Sequence, residues 1–231
     1  MSDPSSFQTL ESMSQAVWYN QWTLKLFAKY LKGDILEVGC GIGNFTKSLL
    51  KYGKVWAVDI NRIYISNIKK EQGDKVRVGF GDIAKGKYFF GKRNFDSIVC
   101  LNVLEHIEKD DTALKNLFDL LQNNGTLILL VPAHPFLYGE IDRSIGHFRR
   151  YSKKELLNIM ESIGFNIIES WRINFLGAIG WFIAGRILNE NKVENEKIKI
   201  FNLLAPFFLA IENIIEPPIG TSILVVAQKK I

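Results

Sequence analysis

Residues 35–44 read Ile35-Leu36-Glu37-Val38-Gly39-Cys40-Gly41-Ile42-Gly43-Asn44, an apolar run followed by three alternating glycines. This pattern predicts a buried strand that turns sharply into a helix. Glycine at every second position lets a flat ligand lie against bare backbone. A second apolar run ends in Val58-Asp59, about 20 positions after Gly39. A carboxylate there can accept from both hydroxyls of a ribose. The pair of features implies an adenosine-containing ligand. Asp59 also has the chemistry of a cap for the turn that follows it.

The identity of that ligand turns on position 44. A dinucleotide loop reads G-x-G-x-x-G/A and needs a small third residue there. Position 44 is Asn, and the third glycine comes one residue early, at Gly43. The run E-x-G-x-G-x-G instead resembles the first motif of class I S-adenosylmethionine (SAM)-dependent methyltransferases. Three further features extend the resemblance: Val58-Asp59, Gly81-Asp82 after a third apolar run, and the stretch from Phe95-Asp96-Ser97-Ile98-Val99-Cys100 to Leu101-Asn102-Val103-Leu104-Glu105-His106-Ile107. The match covers residues 14–170.

Hydrophobic periodicity predicts an amphipathic helix over 14–31, ended by Gly33. Strands are predicted near 34–39, 54–59, 75–80, 95–100 and 126–131, with helices near 43–51, 61–71 and 109–122. Asn61 and Asp110 stand where helix caps belong. Several strands, such as Leu127-Ile128-Leu129-Leu130-Val131, are apolar at every position, the mark of parallel strands covered on both faces. Ser152-Lys153-Lys154-Glu155 has the form of a capping box, Gly164 closes the helix behind it, and strands follow at 165–171 and 222–227. The fold class expected is α/β, a Rossmann-like seven-stranded sheet. The resemblance implies that the last strand is antiparallel.

Some fifty residues separate those last two strands, far more than a hairpin needs. We therefore expect residues 1–171 and 221–231 to form one SAM-binding domain, with 172–220 inserted as an apolar helical cap. The cap holds two greasy runs, 175–185 and 201–211, around a charged linker from Asn189 to Lys199. Neither run reaches the roughly 18 uninterrupted apolar residues of a membrane span. They suit packed core, a lid over a lipid-like acceptor, or a patch resting on a bilayer.

Composition excludes little else. Hydrophobic residues make up 47% and charged residues 23% of the 231, an ordinary globular balance. The two cysteines, Cys40 and Cys100, fall at strand ends, which suggests a reducing compartment and no disulfide framework. The polar start, Met1 to Ser6, lacks a signal core, so a cytoplasmic location is expected, with peripheral contact at the inner face of the membrane if the cap meets lipid. The three histidines and two cysteines show no metal-ligand spacing, and no metal is expected. A net charge of +5 suits anionic partners without arguing for nucleic acid.

The resemblance implies roles residue by residue. Glu37 and the glycines Gly39, Gly41 and Gly43 hold the methionine moiety, and Asp59 takes the ribose beside Ile60. Asp82 and Ile83 flank the adenine, and Asn102 faces the sulfonium side. Gly81-Asp82 also reads as a plain turn. Glu105-His106 shapes the loop after the fourth strand, and His106 is a packing or positioning group in preference to a base. Because an activated methyl chiefly needs a nucleophile placed in line behind it, no catalytic dyad is required.

The segment 132–151 is the most distinctive. Ligands of open α/β sheets sit beyond the carboxyl ends of strands, so this loop overhangs the site. Its Gly-His-x-Arg-Arg-Tyr run resembles a methyltransferase subfamily often associated with cell-surface glycan or glycolipid genes. His134, Tyr138, His147, Arg149, Arg150 and Tyr151 are candidate acceptor-binding residues. Asp142 and His147 are candidates to take the acceptor's proton. The arginines can equally pair with Glu140 and Asp142 to rigidify the loop.

The reading expected is SAM-dependent methylation of a small-molecule, glycan or lipid-linked acceptor, more often at oxygen than at nitrogen. A nucleic-acid methyltransferase is disfavoured, because Leu101-Asn102-Val103-Leu104 lacks the Asn/Asp-Pro-Pro-aromatic run of amino-methylating DNA enzymes. A non-catalytic SAM-binding module and a nicotinamide oxidoreductase are the remaining alternatives.

Overall fold

The computed structural model describes residues 16–188, 190 and 195–230. Eight strands form one sheet: β1 (Asp34–Val38), β2 (Lys54–Asp59), β3 (Val76–Asp82), β4 (Lys87–Tyr88), β5 (Phe95–Leu101), β6 (Leu121–Pro132), β7 (Phe165–Ile173) and β8 (Ser222–Lys229). Their order across the sheet is β4-β3-β2-β1-β5-β6-β8-β7. The expected seven strands are all present. The eighth is the two-residue β4, antiparallel to β3 at one edge and too short to leave a periodic signal.

The neighbours β3-β2-β1-β5-β6 are parallel, and β8 runs antiparallel to both β6 and β7. β1 therefore lies between β2, which leads away to one edge, and β5, which leads to the other. The carboxyl ends of β1 and β5 are the switch point where such sheets hold ligands.

Helices cover both faces, because successive strand residues point to opposite sides and both sides are apolar. Leu36 lies with Trp56, Ile98, Leu114, Leu117, Leu156 and Met160 in one buried layer. Its neighbour Ile35 lies with Val55, Val99, Trp22, Phe27, Ile65 and Ile68 in the other. The first layer is roofed by α4 (Asp110–Leu120) and α6 (Lys153–Ile163), the second by α1 (Val17–Phe27) and α3 (Arg62–Gln72). Between them in sequence lie the short α2 (Thr46–Leu49) and α5 (Glu140–Ser144).

The caps follow the expected chemistry with two corrections. Asn61 accepts from the Ile63 amide at 2.9 Å at the start of α3. Lys109, not Asp110, occupies the capping position of α4. Asp110 is already helical, and its carboxylate goes to Tyr151 and Arg149 instead. Ser152 accepts from the Glu155 amide at 3.3 Å, but its hydroxyl also donates to the Glu155 carboxylate at 2.7 Å. The return half of that box is thus a side-chain pair. Gly164, at φ +114°, closes α6 in the left-handed region.

Between β7 and β8 the chain forms α7 (Phe175–Phe182), a wide π turn over Ile183–Ile187, and α8 (Asn195–Glu212). Glu212 accepts from the amides of Asn174 and Phe175, which clamps the end of α8 to the start of α7. The π turn and α8 pack on different parts of the molecule. Ala205 and Leu209 of α8 are buried in the layer of α1. Ala184 packs with Ile141 and Ile145 over the loop after β6. Of the linker that the sequence marks as charged, positions 189 and 191–194, Lys192 among them, lie outside the described residues. None of the described helices is long and apolar enough to cross a membrane.

Candidate functional site

The glycine loop leaves β1 in left-handed backbone, with φ of +70° at Gly39 and +52° at Gly41. Side chains rarely tolerate that region. A Cβ on Gly39 would also strike the Val103 side chain from the loop after β5. The amides of Gly39 and Cys40 both donate to the Val58 carbonyl, at 2.8 and 3.1 Å. The loop is thereby folded over the end of β2.

Asp59 completes that fastening. Its carboxylate accepts from the Gly41 amide at 2.9 Å and the Asn61 amide at 2.7 Å. It therefore ties the glycine loop to the start of α3, and each oxygen keeps a further lone pair. Burial raises its pKa, while these backbone donors pull it down. Glu37 is buried on β1 and accepts from the Thr46 hydroxyl at 2.6 Å. Loss of solvent pushes its pKa up to about 8.

Around this floor the other cofactor candidates differ in exposure. Ile60, beside Asp59, is 67% exposed. Asn102 stands exposed at φ +53°, its amide donating to the Leu130 carbonyl. Asp82 accepts from the Lys85 amide and pairs with its ammonium at 3.3 Å. Ile83 is 4% exposed and packs in the core, its carbonyl accepting from Asn116. Its side chain has little face left for an adenine.

The second half of the site is the loop after β6. Bonds from Ala133 to Thr221, from His134 to Tyr151 and from Tyr151 to Pro132 pin its two ends. Its centre is Asp142, fully buried on α5. One carboxylate oxygen accepts from His147 Nδ1 at 2.8 Å and Arg150 Nε at 2.9 Å. The other accepts from the Gly139 amide at 3.0 Å and Trp181 Nε1 at 3.1 Å. Burial opposes ionisation, yet His147 and Arg150 hold the pKa down to about 2.

Asp142 and His147, each a candidate to take the acceptor's proton, thus meet, and Glu105 and His106 join them from the loop after β5. The Phe148 amide donates to the Glu105 carbonyl, and His106 Nδ1 reaches the Gly146 carbonyl at 3.3 Å. The His106 and His147 rings lie 4.7 Å apart, edge to face. Burial pushes the Glu105 carboxyl up to about 7. Burial and the neighbouring His147 push His106 down to about 4.

The remaining candidates spend their polar groups elsewhere. Arg150 is buried against Asp142 and the Ala133 carbonyl, its guanidinium over the Trp181 ring. Arg149 pairs with Asp110 at 2.8 Å and donates to the Glu108 carbonyl. Tyr151 is buried and donates to Asp110. Tyr138 donates to the His147 carbonyl. His134 sits at φ +60°, its Nε2 buried without a hydrogen-bond partner. Trp181 ties α7 to Asp142, a link that the sequence pattern does not show, because the residue stands inside an apolar run.

A family model described as a methyltransferase domain matches residues 14–170. An uncharacterized protein of Methanocaldococcus jannaschii is 31% identical, the match covering 89% of this chain and 90% of that protein. The mitochondrial ubiquinone biosynthesis O-methyltransferase of Schizosaccharomyces pombe is 33% identical over 41% of this chain. The chain spans 36% of that relative's length and 3% of a hybrid PKS-NRPS synthetase of Emericella nidulans. In fold it is similar to an S-adenosylmethionine-dependent methyltransferase from Mesorhizobium loti, with a TM-score of 0.63 and 14% identity over 92% of this chain and 97% of that one. The glycine loop at the switch point, the carboxylate ending β2 and these likenesses converge: the chain belongs to the class I methyltransferase family, with SAM as its cofactor.

Proposed function

We propose that this chain methylates a hydroxyl oxygen on an amphiphilic acceptor, a lipid-linked small molecule or glycan. SAM supplies a methyl group already activated by its sulfonium. Gly39, Gly41 and Gly43 would let its methionine end approach the backbone, with Glu37 beneath. The free lone pairs of Asp59 would take the ribose, Ile60 would cover one adenine face, and the Asp82-Ile83 turn would bound the other side. Asn102 would border the reacting end. A buried carboxyl with a single donor, Glu37, suits a ligand that brings positive charge.

The acceptor's polar end belongs at the Glu105–His106–Asp142–His147 cluster, beside the turn from which Val103 packs on Gly39. Asp142 fixes the His147 ring, so a hydroxyl there meets an oriented imidazole. Arg149, Arg150 and Tyr151 hold the loop in shape. His134 and Tyr138, near the start of the loop, would add contacts to the acceptor.

The observation that carries the amphiphilic reading is apolar exposure between β7 and β8. Leu203 is 80%, Phe207 68%, Ile214 85% and Ile215 64% exposed, and Phe182, Ile183 and Ile187 follow on α7 and its π turn. Large apolar side chains gathered on one segment favour contact with lipid or another apolar surface. Trp181, hydrogen-bonded to Asp142, links this segment to the polar centre. The segment would then act as a cap whose outer face receives the acceptor's tail.

The test is transfer of labelled methyl from SAM to lipid and aqueous extracts of the source cells, with co-sedimentation on anionic and neutral vesicles. Label in the organic phase and binding lost in Leu203→Ser/Phe207→Ser support the reading. Label confined to water-soluble acceptors, with no vesicle binding, removes the lipid part.

A further inference from the structure

Glu105 is the least expected group in the molecule. Its side chain is 0% exposed, and neither carboxylate oxygen has a hydrogen-bond partner. A buried polar group left without partners is costly, and a charged one more so. Its nearest cation-forming neighbour, His147 Nε2, lies 3.7 Å from Oε1, too far for a hydrogen bond.

The two imidazoles around it are held in one orientation. His147 Nδ1 meets the Asp142 carboxylate, and His106 Nδ1 meets the Gly146 carbonyl. Both partners only accept, so each Nδ1 is the donor, and the neutral form of each ring has its lone pair on Nε2. An imidazole whose far nitrogen is fixed by a carboxylate or a carbonyl is the arrangement that orients metal-binding histidines. One ligand atom from each of Glu105, His106 and His147 lies within 4.8 Å of the other two. An ion with bonds of about 2.0–2.2 Å holds its ligands roughly 3–4.4 Å apart, so a small closure suffices. His106 is the exposed member of the three.

We propose that Glu105, His106 and His147 bind a divalent transition-metal ion such as Zn2+. Two imidazoles and one carboxylate suit that class better than Mg2+ or Ca2+, which favour all-oxygen sites. Three protein ligands leave a position open, the form of a catalytic centre and not of a closed structural one. Sequence spacing hid the site, because His147 arrives from a loop some forty residues beyond Glu105 and His106.

The role of the ion rests on the hydroxyl-acceptor reading above. A hydroxyl coordinated at the open position gives up its proton to solvent more readily. Its oxygen pair then forms the new O–C bond as the C–S bond breaks, its electrons staying on the sulfur of S-adenosylhomocysteine.

The experiment is titration of Zn2+ into the full chain after chelator treatment and dialysis, without SAM or acceptor. Co2+ serves as a visible probe of coordination. One equivalent should bind. Glu105→Gln and His106→Ala should each weaken binding at least ten-fold with melting temperature preserved. Asp142→Asn, which touches no ion, should weaken it about 10–100-fold in protein that the melt shows to be folded. Absence of binding by folded protein, or binding indifferent to both Glu105→Gln and His106→Ala, overturns the proposal. Should His147→Ala fail to fold, the rim variant His106→Ala still decides. Because binding is read without turnover, a failed acceptor reading leaves this result standing. Full-rate methyl transfer by chelated enzyme would remove the ion's catalytic role alone.

Discussion

At the carboxyl end of β1, Asp59 accepts from two backbone amides, one on either side of it in sequence, and folds the glycine loop over β2. Beyond β6, Asp142 accepts from a backbone amide, an imidazole, a guanidinium and an indole, the last from α7. Both are buried carboxylates organising a loop at the same edge of the sheet. The first works through short-range backbone geometry that glycines make possible. The second works through side chains that only the finished fold assembles. A loop of the first kind should tolerate loss of its carboxylate as a fold and fail as a binding site. A loop of the second kind should fail as a fold.

Asp142→Ala therefore should have the largest effect. It leaves Arg150, whose side chain is 1% exposed, as a buried charge without its partner. Breaking a buried pair from one side costs about 3–5 kcal/mol, and thermal melts should show it. A melting temperature within a degree or two of the parent would mean that the loop does not depend on this centre. Gly41→Val comes next. A β-branched residue at φ +52° is strained, and calorimetry should find SAM binding lost while the sheet stays folded. Asp59→Ala should weaken SAM by an order of magnitude or more, as loss of a hydrogen bond at a charged group costs about 1.5–3 kcal/mol. Unchanged affinity would leave Asp59 as a fastener of backbone only.

The same contrast decides what was legible in the sequence. The apolar strands, the glycine loop and Asp59 declare themselves within a few residues of one another, so periodicity and spacing find them. The resemblance implied seven strands with the last one antiparallel, and among the strands only the two-residue β4 escaped. The partners of Asp142 lie at 139, 147, 150 and 181, and no period links them. Arg149 and Arg150 look alike in sequence and face opposite ways in the fold. Glu105 looked like a loop-shaping residue because nothing in its neighbourhood says that its carboxylate will be sealed in. The segment between β7 and β8 reads as a single insertion, yet Ala205 and Leu209 of α8 lie in the sheet's core while Trp181 and Ala184 pack on the loop after β6.

Glu37 extends the comparison to pH. Its pKa in the fold, about 8, stands above the 4.5 of an ordinary glutamate because burial penalises the charge. The fold favours the protonated form, so its contribution to stability is fully present below pH 4.5. That contribution is lost as pH rises to about 8. Cofactor-free protein should melt progressively lower across that window, and Glu37→Gln should flatten the trend. Bound SAM, which brings positive charge, should favour the carboxylate and release a proton, measurable by calorimetry in two buffers of different ionisation enthalpy. An equal slope in the parent and in Glu37→Gln would assign the trend to other groups.

The smallest effect belongs to the most conspicuous residue of the loop. Arg149 stands beside Arg150 in a run that suggests anion recognition, but its guanidinium lies across the start of α4. There it is held by Asp110 at 2.8 Å and the Glu108 carbonyl at 2.7 Å. Its side chain keeps 33% of its exposure, so water competes for both bonds. Partly exposed pairs of this kind are worth about 0–1 kcal/mol. Arg149→Ala should lower stability by no more than that and leave methyl transfer within a few-fold of the parent. Arg150→Ala, one position on, should repeat the damage of Asp142→Ala, because it strands the same buried pair from the other side. If Arg149→Ala instead abolished transfer in a stably folded protein, the side chain would have to swing from Asp110 to the acceptor during turnover. The loop would then be a moving part, and the contrast between a backbone-built end and a rigid side-chain-built end would no longer hold.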